Sequence, residues 1–77
     1  MNQLNDKGQR HGYWEHYFCG KMLTNGNYIN GKQNGYWEYY FRGGKVSWVG
    51  SYDNDQRIGY WEGYNKEGEL TKKEFRL

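Results

Sequence analysis

Gly35-Tyr36-Trp37-Glu38-Tyr39-Tyr40-Phe41 decides the fold, because the chain writes this stretch three times. Gly12-Tyr13-Trp14-Glu15-His16-Tyr17-Phe18 precedes it and Gly59-Tyr60-Trp61-Glu62-Gly63-Tyr64 follows. Gly12, Gly35 and Gly59 are 23 and 24 residues apart. A fixed period of that size, holding glycine, aromatics and an acid in register, marks a repeat architecture.

Working outward, each copy is entered through a segment rich in turn formers: Lys7 to Gly12, Asn30 to Gly35 and Asn54 to Gly59. Asn, Asp and Gly tolerate positive φ and so make tight turns. A second set lies inside the copies, at Cys19-Gly20-Lys21, Arg42-Gly43-Gly44-Lys45 and Lys66-Glu67-Gly68-Glu69. Six strand-like runs remain: 12–18, 22–29, 35–41, 46–53, 59–65 and 70–77. They are aromatic and β-branched with short punctuation, which predicts an all-β, single-layer, twisted antiparallel meander of three hairpins. No window carries a helical apolar stripe. Residues 1–11 read as a polar lead-in, the turn of a partial repeat with Leu4 in an edge strand, and 12–77 as the repeat domain.

Register follows from hairpin closure. Pairing Phe41 with Val46 sets Tyr39 opposite Trp48, Trp37 opposite Gly50 and Gly35 opposite Tyr52. In the first copy, Phe18 meets Met22, Trp14 meets Gly26 and Gly12 meets Tyr28. An aromatic facing a strand glycine covers bare backbone and pins register. The same scheme puts Glu62 opposite Lys73. Period-two alternation then predicts one face with Trp14, Phe18, Met22, Tyr28, Trp37, Tyr39, Phe41, Val46, Trp48, Tyr52, Trp61 and Leu70. The other carries Tyr13, Glu15, Tyr17, Tyr36, Glu38, Tyr40, Tyr60, Glu62 and Tyr64. The first is the predicted core.

Composition bounds the rest. A chain of 77 residues holds one domain near the lower limit of independent stability. Only 35% of it is apolar while 21% is aromatic, so rings must supply most of the burial. Eleven basic against nine acidic residues leave a net charge of +2, too mild to argue for nucleic acid or an anionic membrane. Cys19 is the one cysteine, so no intrachain disulfide staples the fold, and a cytoplasmic setting is expected. Met1 to Asp6 holds no apolar run, from which neither a signal peptide nor a membrane span is expected.

The pattern Gly12-Tyr13-Trp14, Tyr17, Gly20-Lys21, Gly26-Asn27-Tyr28-Ile29-Asn30-Gly31 resembles the MORN repeat, in the variant common in bacterial proteins. It recurs as Gly35-Tyr36-Trp37, Tyr40, Gly44-Lys45, Gly50-Ser51-Tyr52-Asp53-Asn54. The third copy keeps Gly59, Trp61, Tyr64 and Gly68 but has Glu74 and Arg76 where the second Gly and Tyr would stand. The resemblance implies an elongated sheet of successive hairpins used to bind or assemble proteins. Some bacterial members are labelled antitoxins. No catalytic residue comes with the motif.

Four groups invite chemistry. Trp14, Trp37 and Trp61 recur two strands apart, roughly 9–10 Å, and could stack bases or sugars, grip a partner, or simply form the core. Glu15, Glu38 and Glu62 form a row too widely spaced and too open for paired-carboxylate hydrolysis, and read as surface acids. His11, His16 and Cys19 lack a zinc spacing, so no metal is expected. Basic turn residues such as Lys21, Lys32, Arg42 and Lys45 protect edges or follow a phosphate backbone, and the acids argue against the latter.

The expectation is a non-enzymatic, cofactor-free protein-binding module: a small inhibitor, antitoxin or adaptor that could self-associate. Its expected contact residues are Trp14, Tyr28, Trp37, Tyr39, Trp48, Tyr52 and Trp61. The alternatives are a small-ligand binder with an aromatic trough for a nucleotide, glycan or lipid headgroup, and a single-strand nucleic-acid binder.

Overall fold

The computed structural model describes residues 2–76. The chain is an open sheet of seven strands in sequence order: β1 (Gln3–Leu4), β2 (Arg10–Phe18), β3 (Lys21–Ile29), β4 (Lys32–Tyr40), β5 (Val46–Asp53), β6 (Gln56–Tyr64) and β7 (Leu70–Arg76). Every neighbouring pair is antiparallel. The extents, 41 × 35 × 12 Å, are those of one layer. Leu4 does pair in an edge strand, which raises the count from the expected six to seven. The expected end of the last strand at residue 77 lies outside the described residues.

The entry segments are shorter turns than the sequence indicates. β4 and β6 begin at Lys32 and Gln56, so the turns shrink to Asn30-Gly31 and Asn54-Asp55. The cause is the recurring glycine: Gly35 (φ +77°) does not end a turn but opens a bulge inside its strand. On β3 the partners jump from Trp37 opposite Gly26 to Asn34 opposite Asn27, leaving Gly35 and Tyr36 extra. Gly59 and Tyr60 repeat this against β5. The turns also fasten one hairpin to the next. The amide of Gly31 donates to the Arg10 carbonyl at 2.8 Å, and that of Asp55 to the Gln33 carbonyl at 3.0 Å.

Within each hairpin the register holds at its centre: Trp14 faces Gly26, Trp37 faces Gly50, Tyr39 faces Trp48 and Glu62 faces Lys73. Near the loops it slips by one. Tyr17 pairs with Met22, Tyr40 with Val46 and Tyr64 with Leu70, so Leu23, Ser47 and Thr71 are each one residue too many. A single extra residue turns the remaining side chains over. Met22, Val46 and Leu70 therefore share the face of Tyr17, Tyr40 and Tyr64, not the tryptophan face expected for them. Phe41 leaves the ladder to open the loop Phe41–Lys45, its amide bonded to the Lys45 carbonyl.

The core lies on the tryptophan face, built from Trp37 and Trp61, each 1% exposed, with Tyr28 and Tyr52. Trp14, Tyr39 and Trp48 pack against it. One layer can bury an indole because the ring lies flat on a glycine. A Cβ built on Gly26 would sit inside the Trp37 indole, and one on Gly50 inside that of Trp61. The glycine covered is thus on the preceding hairpin: Trp37 faces Gly50 across its own hairpin but leans the other way, onto Gly26.

Candidate functional site

The two faces of the sheet differ in chemistry and in access. On the tryptophan face, Tyr28 and Tyr52 meet the Trp37 ring edge-on, with centroids 5.0 and 6.1 Å away. His16 and Tyr39 flank it at 6.3 and 6.4 Å. Cross-strand polar tips tie the rings: His16 Nε2 lies 3.1 Å from the Tyr28 hydroxyl, and the Tyr39 and Tyr52 hydroxyls are 2.7 Å apart. Burial, with the Arg10 charge second, lowers the His16 pKa below its ordinary 6.5. Burial and the Tyr52 hydrogen bond push Tyr39 up to about 12.

Cations cover what the rings leave open. The Arg10 guanidinium sits 5.2 Å from the Trp14 ring centroid and 5.6 Å from that of Tyr28. Arg57 lies 4.9 Å from Trp61 and 5.9 Å from Trp48. Gln33 holds the same place in the middle copy and donates from Nε2 to the Tyr39 hydroxyl at 3.2 Å. The sequence pattern places these residues in turns, whereas β2, β4 and β6 carry them over the rings. The signal was present, since Arg10, Gln33 and Arg57 each stand two residues before a repeat glycine.

The expected contact residues are thereby accounted for. Tyr28, Trp37, Tyr52 and Trp61 are buried, and Trp14 and Trp48 are half-buried beneath cations, Tyr39 beside Gln33. They come together on one face, four of them buried and three still partly open to solvent.

The opposite face is open. Tyr13, Tyr17, Tyr36 and Tyr60 are exposed there, Tyr36 at 55%. Ladder pairing carries one line straight across the sheet: Glu15, Asn25, Glu38, Val49, Glu62, Lys73. Each glutamate accepts a hydrogen bond from the tyrosine two residues on. Tyr17 donates to Glu15, Tyr40 to Glu38 and Tyr64 to Glu62, each at 3.0 Å. Tyr13 adds a longer bond to Glu15 at 3.3 Å. Tyr40 also accepts from the buried Asn25 Nδ2 at 3.0 Å. Carboxylate contact helps raise the pKa of Tyr17 and Tyr64, in both mainly through the hydrogen bond.

Lys73 stands opposite Glu62 but closes no ion pair with it. Among the described residues the one ion pair is Arg76 with Glu74, at the sheet edge. Between Glu38 and Glu62 the surface dips into a hollow of about 430 Å³, lined by Tyr36, Lys45, Val46, Val49 and Tyr64 among others. A separate cleft of about 360 Å³ lies by the loops, between Phe41, Arg42, Lys45 and Lys66. Among the described residues no three His, Cys, Asp or Glu side chains gather as a metal site. No helix long and apolar enough to cross a membrane occurs among them.

Fold and faces together define the class: a one-layer repeat sheet with a tryptophan side that holds the core and a more open tyrosine–glutamate side. Compared with family models, curated proteins and solved structures, the chain matches none of them.

Proposed function

We propose that this chain is a MORN-type, non-enzymatic protein-binding module acting in the cytoplasm, as a small bacterial inhibitor, antitoxin or adaptor. One observation carries the reading: a broad face with exposed Tyr13, Tyr17, Tyr36 and Tyr60 beside fixed carboxylates. Tyrosine supplies large, stiff contact area with a polar tip, and interfaces are enriched in it. The free, exposed thiol of Cys19 fits a reducing compartment. The contact surface assigned here is the tyrosine–glutamate face, because the tryptophans are spent on the core. Affinity capture from the native host tests this, with wild type beside a Tyr36→Ser/Tyr60→Ser double variant. Loss of a captured protein by the folded double variant supports the reading. An unchanged set of captured proteins overturns it.

A second reading, a small-ligand binder, draws on the cleft between Phe41, Arg42, Lys45 and Lys66, where three cations surround one ring. That chemistry suits a small anion with an apolar part. Calorimetric titration with inorganic phosphate and with nucleoside monophosphates, against a Lys45→Met/Lys66→Met variant, separates it from the first.

A further inference from the structure

Three glutamates lie in a line across the strands, at every second strand, with tyrosines on both sides. The tyrosines fix the carboxylates without neutralising them. Tyr40 and Tyr64 occupy Oε1 of Glu38 and Glu62, and among the described residues no hydrogen bond reaches either Oε2. Among the described residues no cation lies within ion-pair distance of Glu38 or Glu62 either, although Lys45 and Lys73 are near. Such a row attracts positive charge, and rings beside it add cation–π attraction.

The spacing restricts what can bear that charge. Two strand intervals measure about 9.6 Å. A polyproline II helix repeats every three residues, about 9.3 Å, and presents residues i and i+3 on one side. A β-extended peptide offers like-facing residues at about 6.8 or 13.6 Å, and an α-helix at about 5.4 Å per turn, which leave the row out of step. We propose, resting on the protein-binding reading above, that the tyrosine–glutamate face receives a cationic peptide in the polyproline II conformation. It crosses the strands with Lys or Arg at every third residue. Cations meet Glu38 and Glu62, and an apolar residue between them enters the hollow floored by Val49 and walled by Tyr36 and Tyr64.

A second copy of this chain fits less well. The cations on its tryptophan face are already engaged, Arg10, Arg57 and Lys72 over indoles and Arg76 with Glu74, and the middle copy offers Gln33 instead of a charge. A nucleic acid would set phosphates against the carboxylates.

The test is calorimetric titration with a peptide of repeated Arg-Pro-Pro triplets, about twelve residues long. Its control is an isomer with the same arginines gathered at one end. The triplet peptide should bind at least about tenfold more tightly than the isomer, and Glu38→Gln or Glu62→Gln should each weaken it about tenfold. Glu74→Gln, on the other face, should leave it unchanged. Circular dichroism and the thermal midpoint show that each variant is folded. Equal affinity for the two peptides, or full binding by the Glu38 and Glu62 variants, overturns the inference. So does a dimer in sedimentation that Glu38→Gln dissociates and the peptide cannot displace, which would assign the face to a second copy. If the triplet peptide fails while the Tyr36/Tyr60 variant still loses a captured partner, only the cationic peptide is overturned. If capture is also unaffected, the underlying reading falls with it.

Discussion

The indole N–H of Trp37 donates to the backbone carbonyl of Asn27 at 3.0 Å, across the point where the ladder between β3 and β4 is interrupted. The bulge at Gly35 and Tyr36 frees that carbonyl, and the indole satisfies it while lying on Gly26. Trp61 does the same to the Ser51 carbonyl at 3.2 Å, and Trp14 to that of Gln3 at 3.0 Å. Bulge, glycine and tryptophan are therefore one device, complete at Trp37 and Trp61, while Trp14 keeps its indole hydrogen bond without a glycine beneath it.

Gly26→Ala should be among the costliest small substitutions in the chain, because its methyl overlaps the Trp37 ring and backbone holds it there. A loss of about 3 kcal/mol is expected, at the upper end for overpacking. Gly43→Ala, with open space at its Cβ and no positive φ, should be near neutral. Urea unfolding of both variants, followed by tryptophan fluorescence, measures the difference.

Trp37→Ala should unfold the protein rather than produce a folded variant with weakened binding. Truncating a fully buried tryptophan costs about 3–5 kcal/mol, against a total of about 5 kcal/mol for a small domain. Tyr36→Ala, one residue earlier but exposed on the other face, should change stability by about 0.5 kcal/mol or less. Circular dichroism melts distinguish the two outcomes.

Stability should fall on both acid and alkaline sides. His16 has a lowered pKa, so the unfolded chain binds its proton more readily. The stabilising contribution is complete above about 6.5 and is lost as pH falls through the lower folded value. Tyr39 has a raised pKa, so the folded chain keeps its proton longer. That contribution is complete below about 10 and is lost as pH rises towards about 12. Thermal midpoints across pH for wild type, His16→Gln and Tyr39→Phe check both slopes. Each variant should make its own limb shallower and leave the other unchanged; the alkaline limb keeps part of its slope from the other raised tyrosines, Tyr40 and Tyr36 among them.

Arg57→Ala should destabilise by about 1 kcal/mol by uncovering Trp61 and Trp48, and the loss should persist in high salt. Arg57→Lys should recover only part of it, since a planar guanidinium covers a ring better than an ammonium does. An equal effect of the two substitutions, read by urea unfolding, would contradict the stacking geometry.

Much of this was legible in the sequence, for local reasons. The spacing of Gly12, Gly35 and Gly59 reveals the repeat, and glycine opposite tryptophan sets the register at the centre of the first two hairpins. Face assignment failed near the loops because alternation assumes an unbroken ladder. The extra residues Leu23, Ser47 and Thr71 have no common side-chain character to announce a bulge.

By itself the sequence determined an antiparallel repeat sheet, its order and its central pairing, because hairpins are made by neighbours and glycine, asparagine and aromatics act at short range. Only the tertiary structure decided which glycine each indole covers and where Arg10 and Arg57 reach. It thereby decided which face stays open. Those outcomes depend on contacts between successive hairpins, where a ring can lean either way and the packing of the next repeat chooses.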